Sequence, residues 1–196
     1  MISENLLLKY GAVLETYESF QNIFLEHSKA HFYFQIKTGA VKMYNLNESG
    51  KEFVQGFFYE RESFGEPPLF ADFDYPASAL AIKKSVIYKL SKAKLFQLLT
   101  EHPQVHFKFT QALAERLFYK STLLKGITGQ APDQRILTLI DFLKESDATA
   151  ETPYKVPLTR QQIADMTGHR VETVIRAIKQ LELDGKIQII KRKVYR

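Results

Sequence analysis

Cysteine is absent from this 196-residue chain, and that absence removes several chemistries at once. Disulfide scaffolds, thiolate-held iron–sulfur clusters and cysteine-ligated zinc are all excluded. No run approaches the ~18 apolar residues that a membrane-spanning helix needs. The first residues, Met1-Ile2-Ser3-Glu4-Asn5, lack a basic stretch leading into a long apolar one, so no secretory leader is expected. These absences point to a cytoplasmic protein with no membrane partner. The sequence also lacks a nucleophile elbow and a Gly-rich phosphate loop. His102 and His106 stand at a spacing that can hold a metal, but Pro103 lies between them and no HExxH carboxylate joins them. A metal-dependent barrel enzyme would need a His-x-His pair with a nearby glutamate, and none is present. No cofactor, metal or catalytic residue is therefore expected.

What the chain does have is apolar mass and unevenly placed charge. Hydrophobic residues make up 45% and aromatic residues 13%, enough for a packed core, and the length suits one large domain or two modest ones. The net charge is +5. Residues 153–196 carry ten Lys/Arg against four Asp/Glu, while the first 152 residues carry seventeen against eighteen. A compact basic segment on a near-neutral body is the electrostatic footprint of nucleic-acid binding. Charge alone does not separate that from a solvated basic tail.

Along the chain, residues 1–20 read as a short amphipathic helix (Leu6, Leu7, Leu8, Val13, Leu14) entering a turn. From about 22 to 90, short runs rich in Phe, Tyr, Val and Ile recur between turn signals: His31–Lys37, Val41–Leu46, Phe53–Tyr59 and Ser85–Leu90. This spacing predicts an antiparallel barrel or sandwich. Lys37-Thr38-Gly39 reads as a turn between two strands, and 45–50 as a hairpin loop. From 91 the period becomes helical. Ser91 can cap Lys92–Glu101, and Pro103 separates that helix from a longer one. Over 104–128, Phe109, Leu113, Leu117, Leu124 and Ile127 make one apolar stripe, suited to pairing with a second copy or to packing on the chain's own barrel. After a break at 129–132, Asp133 can cap a helix over Arg135–Lys144, and Glu145–Thr152 reads as a loop.

The segment 157–196 carries the functional signal. Thr159 followed by Gln162 is a capping-box start. Ile163, Ala164 and Met166 supply a buried side, and Gly168 sits where the chain must turn sharply. A second helix over Val171–Leu183 places Val174, Ala177, Ile178 and Leu181 on one face, with Glu172, Arg176 and Lys179 on another. Asp184-Gly185 ends it. Lys186–Ile190 then reads as a strand, Lys191-Arg192-Lys193 as a basic turn and Val194–Arg196 as a return strand. Two helices joined by a short Gly turn, followed by a basic hairpin, make a winged helix-turn-helix. An Arg can donate two hydrogen bonds to guanine, and a Glu can accept one from cytosine N4. Glu172 and Arg176 could also be an ordinary surface ion pair of a few tenths of a kcal/mol.

These residues resemble the Crp/Fnr family of bacterial regulators, most closely over Leu158–Ile187. Thr-Arg-Gln-Gln-Ile-Ala, then Thr-Gly, then Val-Glu-Thr-Val-x-Arg is similar to the family's helix-turn-helix signature. Glu172 and Arg176 match the positions that read the T-G-A/T-C-A core of each half-site, and Val171 matches the Fnr-type branch. Arg170 departs from the family's usual Ser or Thr cap. Ile36-x-x-Gly39-x-Val41 resembles an early strand–turn–strand of the cyclic-nucleotide-binding barrel, and Phe64-Gly65-Glu66 with Leu69-Phe70 resembles the start of its phosphate-binding cassette. In that cassette a glutamate binds the ribose, and an arginine about ten residues on pairs with the cyclic phosphate. Here the matching stretch is Tyr75-Pro76-Ala77-Ser78. Pro76 stands at the arginine's place, and no Lys or Arg occurs between Arg61 and Lys83. A buried phosphate without a paired cation is disfavoured by several kcal/mol, and Pro67, Pro68 and Pro76 offer no backbone donor. Weak or absent cyclic-nucleotide binding is expected.

The resemblance implies an α+β fold: an antiparallel β-barrel or jelly roll with a long dimerisation helix over 1–128, then a winged helix-turn-helix DNA-binding domain over 129–196. Expected DNA-binding residues are Thr159, Arg160, Gln161, Arg170, Val171, Glu172, Thr173, Arg176, Lys179, Lys191 and Lys193. Candidates for an effector pocket are Phe57, Phe64, Gly65, Glu66, Pro76, Ala77 and Ser78, joined by Tyr59, Phe70 and Tyr75. These aromatics could equally be core. Expected partners are double-stranded DNA, a second copy of the chain, RNA polymerase and a small-molecule effector of unidentified class. The alternative is a ligand-binding or protein-interaction barrel whose helix-turn-helix no longer reads DNA.

Overall fold

Gly11 settles the first piece of local structure. Its φ of +85° suits glycine and ends helix α1 (Glu4–Lys9). Beyond it, Val13–Tyr17 forms strand β1, antiparallel to β6 (Ser78–Ser91). The amphipathic helix read over residues 1–20 therefore stops short of Val13 and Leu14. Cross-strand pairing, which a local helical period cannot register, decides their state.

The computed structural model describes residues 2–48, 50, 52–127, 131–147 and 150–196, leaving out the side chains of residues 119, 122–127 and 146. The chain divides into two compact units, Met1–Leu113 and Ala114–Arg196. The domain boundary expected at 128/129 falls on residues outside those described.

The first unit is an antiparallel sheet with helices, as expected. Its strands are β1, β2 (Asn22–Phe24), β3 (Phe32–Leu46), β4 (Glu52–Phe58), β5 (Ser63–Phe64) and β6. The main path runs β1-β6-β3-β4, with β2 on β6 and β5 on β3. The two strands expected on either side of Lys37-Thr38-Gly39 are one strand, β3, with register shifts around Thr38 and Ala40. Gly39, at φ +114°, lies so close to the next strand that an added Cβ would fall 2.6 Å from Ser85 Cα. The Ala40 N–H donates to Ser85 Oγ at 3.1 Å. The glycine marks a bulge rather than a turn.

Two apolar clusters hold this unit. One packs helix α1 and α3 (Lys92–Glu101) with Tyr33, Leu90 and Phe109. The other fills the sheet's interior with Phe24, Phe34, Phe64, Tyr75 and Ile87. Each fully buried side chain of this size contributes about 1.5–3 kcal/mol relative to exposure. Ser91 stands at the N-cap of α3 but makes no side-chain capping bond.

Helix α4 (Pro103–Ile127) begins at the expected proline. Phe109 is buried and Leu113 packs on the core, whereas Leu117 is exposed. Leu124 and Ile127 of the same stripe lie outside the described side chains. Phe107 and Phe118 are also exposed, at 73% and 69%.

The second unit holds α5 (Pro132–Ser146), α6 (Arg160–Thr167), α7 (Val171–Leu183), β7 (Gln188–Ile190) and β8 (Lys193–Tyr195). Its core includes Ile136, Ile140, Ile163, Val174, Ile178 and Leu181. Helix α5 starts earlier than read: Ala131 is the N-cap, Pro132 occupies the first turn and Asp133 lies inside the helix. A proline with its φ preset for the first turn outcompetes an aspartate as the start signal. The same helix runs on to Ser146, into the stretch read as loop.

Candidate nucleic-acid interface

The helix-turn-helix forms because its local signals agree. Thr159 Oγ1 accepts from the Gln162 N–H at 3.2 Å, and the Thr159 N–H donates to Gln162 Oε1 at 2.8 Å. This reciprocal capping box satisfies two N-terminal donors of α6. At the other end Gly168 takes φ +72°, the left-handed cap that glycine accepts without a Cβ clash. An Arg135 NH1 group donates to the Thr167 carbonyl at 3.2 Å, satisfying an open acceptor at the helix C-terminus.

Helix α7 follows after three residues, Gly168, His169 and Arg170. Val174, Ala177, Ile178 and Leu181 are buried, as the 3.6-residue period dictates. Glu172, Arg176 and Lys179 lie on the exposed side. Arg170 is the N-cap residue and makes no side-chain capping bond, so its exposed side chain is not spent on the helix end. Val171 and Thr173 are half-buried on the first turn. Among the described residues, the side chains of Glu172, Arg176 and Lys179 make no hydrogen bond or ion pair. The surface ion pair that their spacing allows is not formed.

The wing is a two-residue hairpin. Ile190 pairs with Lys193, and the connecting residues Lys191 and Arg192 take φ of +47° and +64°. Those signs mark a type I′ turn, which the right-handed strand twist favours and which usually carries Asn-Gly. Strands β7 and β8 each start two residues or one residue away from the reading, and the turn is Lys191-Arg192 rather than all three cations. Lys191, Arg192 and Lys193 are all exposed. Arg192 was left out of the expected DNA contacts although it shares the tip, and its presence in a run of three cations was the available signal.

The base of the wing is tied down more heavily. Tyr154 and Arg196 exchange backbone hydrogen bonds at 2.8 Å each, and the Val156 N–H donates to the Val194 carbonyl. The Arg196 guanidinium forks onto Asp141 at 2.5 and 3.3 Å and donates to the Lys186 carbonyl at 2.7 Å. The Asp141 hydrogen bond raises the Arg196 pKa further above its ordinary value. The Ile189 N–H donates to Glu182 Oε1 at 3.1 Å, joining α7 to β7. Two expected contacts have intramolecular tasks: Gln161 Nε2 donates to Asp165 Oδ1 at 2.7 Å, and Arg160 NH1 donates to the Arg192 carbonyl at 3.0 Å.

The candidate effector residues lie in the first unit, and the structure does not gather them round an open space. Phe64 is fully buried, stacked with Phe34 at 5.6 Å and Phe24 at 6.0 Å and met by the tilted ring of Phe58 at 5.9 Å between centroids. Phe24 and Tyr75 lie face to face at 3.7 Å. A Cβ on Gly65 (φ +73°) would fall 2.8 Å from Phe24 Cζ and 3.2 Å from Tyr75 Cε1. Glu66 is 1% exposed and accepts a hydrogen bond from the Ser63 hydroxyl. Burial, and then the Glu66 charge, push the Tyr75 phenol well above its ordinary range, so it stays neutral. The Pro76 carbonyl accepts from Asn45 Nδ2 at 2.6 Å, Ser78 Oγ accepts from the Glu26 N–H at 2.9 Å, and Ala77 is fully buried. Phe58, not Phe57, packs against the ring cluster, since successive strand residues face opposite ways. Phe70 meets Phe96 and Phe109 instead, and Tyr59 is exposed.

Comparison with known proteins agrees with both units. Residues 14–102 match the cyclic nucleotide-binding domain family, and residues 134–195 match the Crp-like helix-turn-helix domain family. The chain belongs to the Crp/Fnr family. Among its Crp/Fnr relatives, the transcriptional activator protein anr of Pseudomonas aeruginosa is 22% identical over 157 residues, 79% of this chain and 64% of that protein. The chain thus spans just under two thirds of that activator's length. The cAMP-activated global transcriptional regulator CRP of Salmonella typhimurium is 26% identical over 172 residues, 86% of this chain and 82% of that one. The global regulator CLP of Xanthomonas campestris superposes with a TM-score of 0.74 at 18% identity, covering 98% of both chains; at that identity the likeness concerns the Crp/Fnr fold alone. Among the described residues no helix is long and apolar enough to cross a membrane, and no group of three metal-ligating side chains gathers.

Proposed function

We propose that this chain is a sequence-specific DNA-binding transcription regulator of Crp/Fnr type, reading an inverted-repeat operator as a dimer in the cytoplasm. The observation that carries the reading is the state of Glu172 and Arg176. Both are exposed on the first turns of α7, and among the described residues neither side chain is engaged within the protein. A helix of this width enters a major groove, where Arg176 can donate to guanine O6 and N7 and Glu172 can accept from cytosine N4. Thr173 and Val171 sit beside them, placed to meet a neighbouring base edge or thymine methyl. Arg170, Lys179 and the wing cations Lys191, Arg192 and Lys193 supply phosphate contacts.

Dimerisation rests on α4. Exposed Phe107, Leu117 and Phe118 leave apolar surface that a second copy of the helix would cover. Two-fold symmetry then places two recognition helices on half-sites about one DNA turn apart. RNA polymerase is the expected protein partner of such a regulator, and no catalytic role is assigned.

Cyclic nucleotides are not the effector in this reading. The face of Gly65 is occupied by the rings of Phe24 and Tyr75, no arginine stands at Pro76, and Glu66 is buried against Ser63. A phosphate brought there would meet the buried Glu66 carboxyl and, where the resembled cassette has its arginine, a proline that carries no charge, a combination that desolvation disfavours.

Fluorescence anisotropy with a labelled inverted-repeat duplex tests the reading. Binding that is selective over a scrambled duplex, and that weakens linearly in log salt, is the expected result. Equal, weak binding to both duplexes would overturn it.

A further inference from the structure

We infer that Arg160 is a positioning residue for DNA binding: it locks the tip of the wing so that Lys191, Arg192 and Lys193 face the duplex together. The inference rests on the DNA-reading function proposed above and changes the task expected of Arg160, from contacting a phosphate to arranging the residues that do.

The wing's tip needs such a lock. Lys191 and Arg192 both hold left-handed backbone, which disfavours residues that carry a Cβ. The root of the hairpin is fastened by Tyr154, Val156, Asp141 and Glu182. Among the described residues, the side chains of Lys191, Arg192 and Lys193 make no hydrogen bond or ion pair of their own. Pairing of Ile190 with Lys193 closes the ladder and leaves the Arg192 carbonyl outside it. That carbonyl is the acceptor Arg160 NH1 reaches, at 3.0 Å.

Arg160 is suited to this by where it starts. It is the first residue of α6, inside the Thr159–Gln162 capping box, so its backbone is fixed while its side chain spans to the tip. A cation in the first turn of a helix opposes the helix dipole, so α6 gains nothing from a positive charge there. A planar guanidinium also holds a carbonyl with less loss of side-chain freedom than an ammonium would. The half-buried side chain is therefore better accounted for by the bond across to the wing than by α6 itself.

A double-mutant cycle on the full chain tests this. Dissociation constants for the inverted-repeat duplex are measured across a salt series for wild type, Arg160→Ala, Lys191→Ala/Lys193→Ala and the triple variant. Amide resonances of residues 190–194 are followed in the DNA-free wild type and Arg160→Ala. If Arg160 acts through the wing, Arg160→Ala weakens binding roughly tenfold and lowers the salt slope by more than the one contact per protomer (about 0.9) that a single phosphate accounts for. Its further effect is then smaller once Lys191 and Lys193 are gone, since Arg192 is the one tip cation left to misplace, and in the free protein the tip amides shift and exchange faster. Additive losses in the two backgrounds, with a slope change of one contact per protomer and unmoved tip amides, would overturn the inference and return Arg160 to the phosphates. Failure of the wild type to discriminate between duplexes would instead refute the DNA-reading function and the inference with it, and it is recognised independently of the tip resonances.

Discussion

Phe24 and Tyr75 stack face to face, 3.7 Å between ring centroids, against the backbone of Gly65. Phe64-Gly65-Glu66 resembles the start of the phosphate-binding cassette, and in the function proposed above these two rings stand where a ligand would approach. Cyclic AMP or cyclic GMP at about 1 mM is therefore expected to leave the thermal midpoint unchanged. A ligand present at a hundred times its dissociation constant would stabilise the folded state by about 2.7 kcal/mol, a shift of several degrees. Differential scanning fluorimetry with and without nucleotide reads this directly, and such an upward shift would contradict a filled cradle.

Arg176→Ala is expected to cost about 1–3 kcal/mol on the cognate duplex and to relax discrimination at one base pair of each half-site. Because Arg176 is exposed and its side chain makes no hydrogen bond or ion pair among the described residues, its loss should leave the fold untouched. Competition binding against duplexes altered at single positions checks it. A variant that bound cognate and scrambled DNA in the wild-type ratio would remove the residue from base reading.

The wing turn sets stability against function. Lys191→Asn with Arg192→Gly installs the pair that a type I′ turn prefers and should slow amide exchange across β7 and β8 by an amount equivalent to about 0.5–2 kcal/mol. It should also weaken DNA binding and flatten the salt dependence, since two cations leave the tip. Tighter binding by this variant would mean the cations do not meet phosphates.

Glu15 offers a test by pH. Burial opposes its ionisation, but hydrogen bonds from Lys89 Nζ at 2.8 Å and the Tyr17 hydroxyl at 2.6 Å outweigh it and hold the carboxyl below its ordinary value. A lowered folded pKa means the stabilisation is fully present above the ordinary carboxylate range and is lost as pH falls through the folded value. Glu15→Gln should lower the wild type's stability at neutral pH and narrow the gap between the two proteins in acid. A gap that stayed constant down to strongly acidic pH would show that the carboxylate contributes nothing through its charge.

How much of this was legible in the sequence depended on how local the deciding forces were. The capping box at Thr159, the turn at Gly168 and helix α7 from Val171 to Leu183 were read to the residue, because caps, glycine φ and a 3.6-residue period are all local. The state of Val13 and Leu14 was not, because it is set by partners in β6 more than sixty residues away. Gly39 was read as a turn when it marks a bulge, since only the approach of Ser85 tells the two apart. Within the site, the exposed face of α7 followed from periodicity, whereas the bond from Arg160 to the Arg192 carbonyl joins residues brought together only by folding. The missing cation at Pro76 was visible in the sequence; the rings that fill the space beside Gly65 were not, because Phe24 comes from a different strand.

Whether α7 reads DNA is decided by selection from a random duplex pool at about 0.15 M salt by the purified full chain, beside its Arg176→Ala variant. The expected result is enrichment of an inverted repeat with half-sites about one helical turn apart, with the variant losing preference at a single G·C pair in each half-site. Enrichment of nothing above background, or of the same sequences by both proteins, would contradict it.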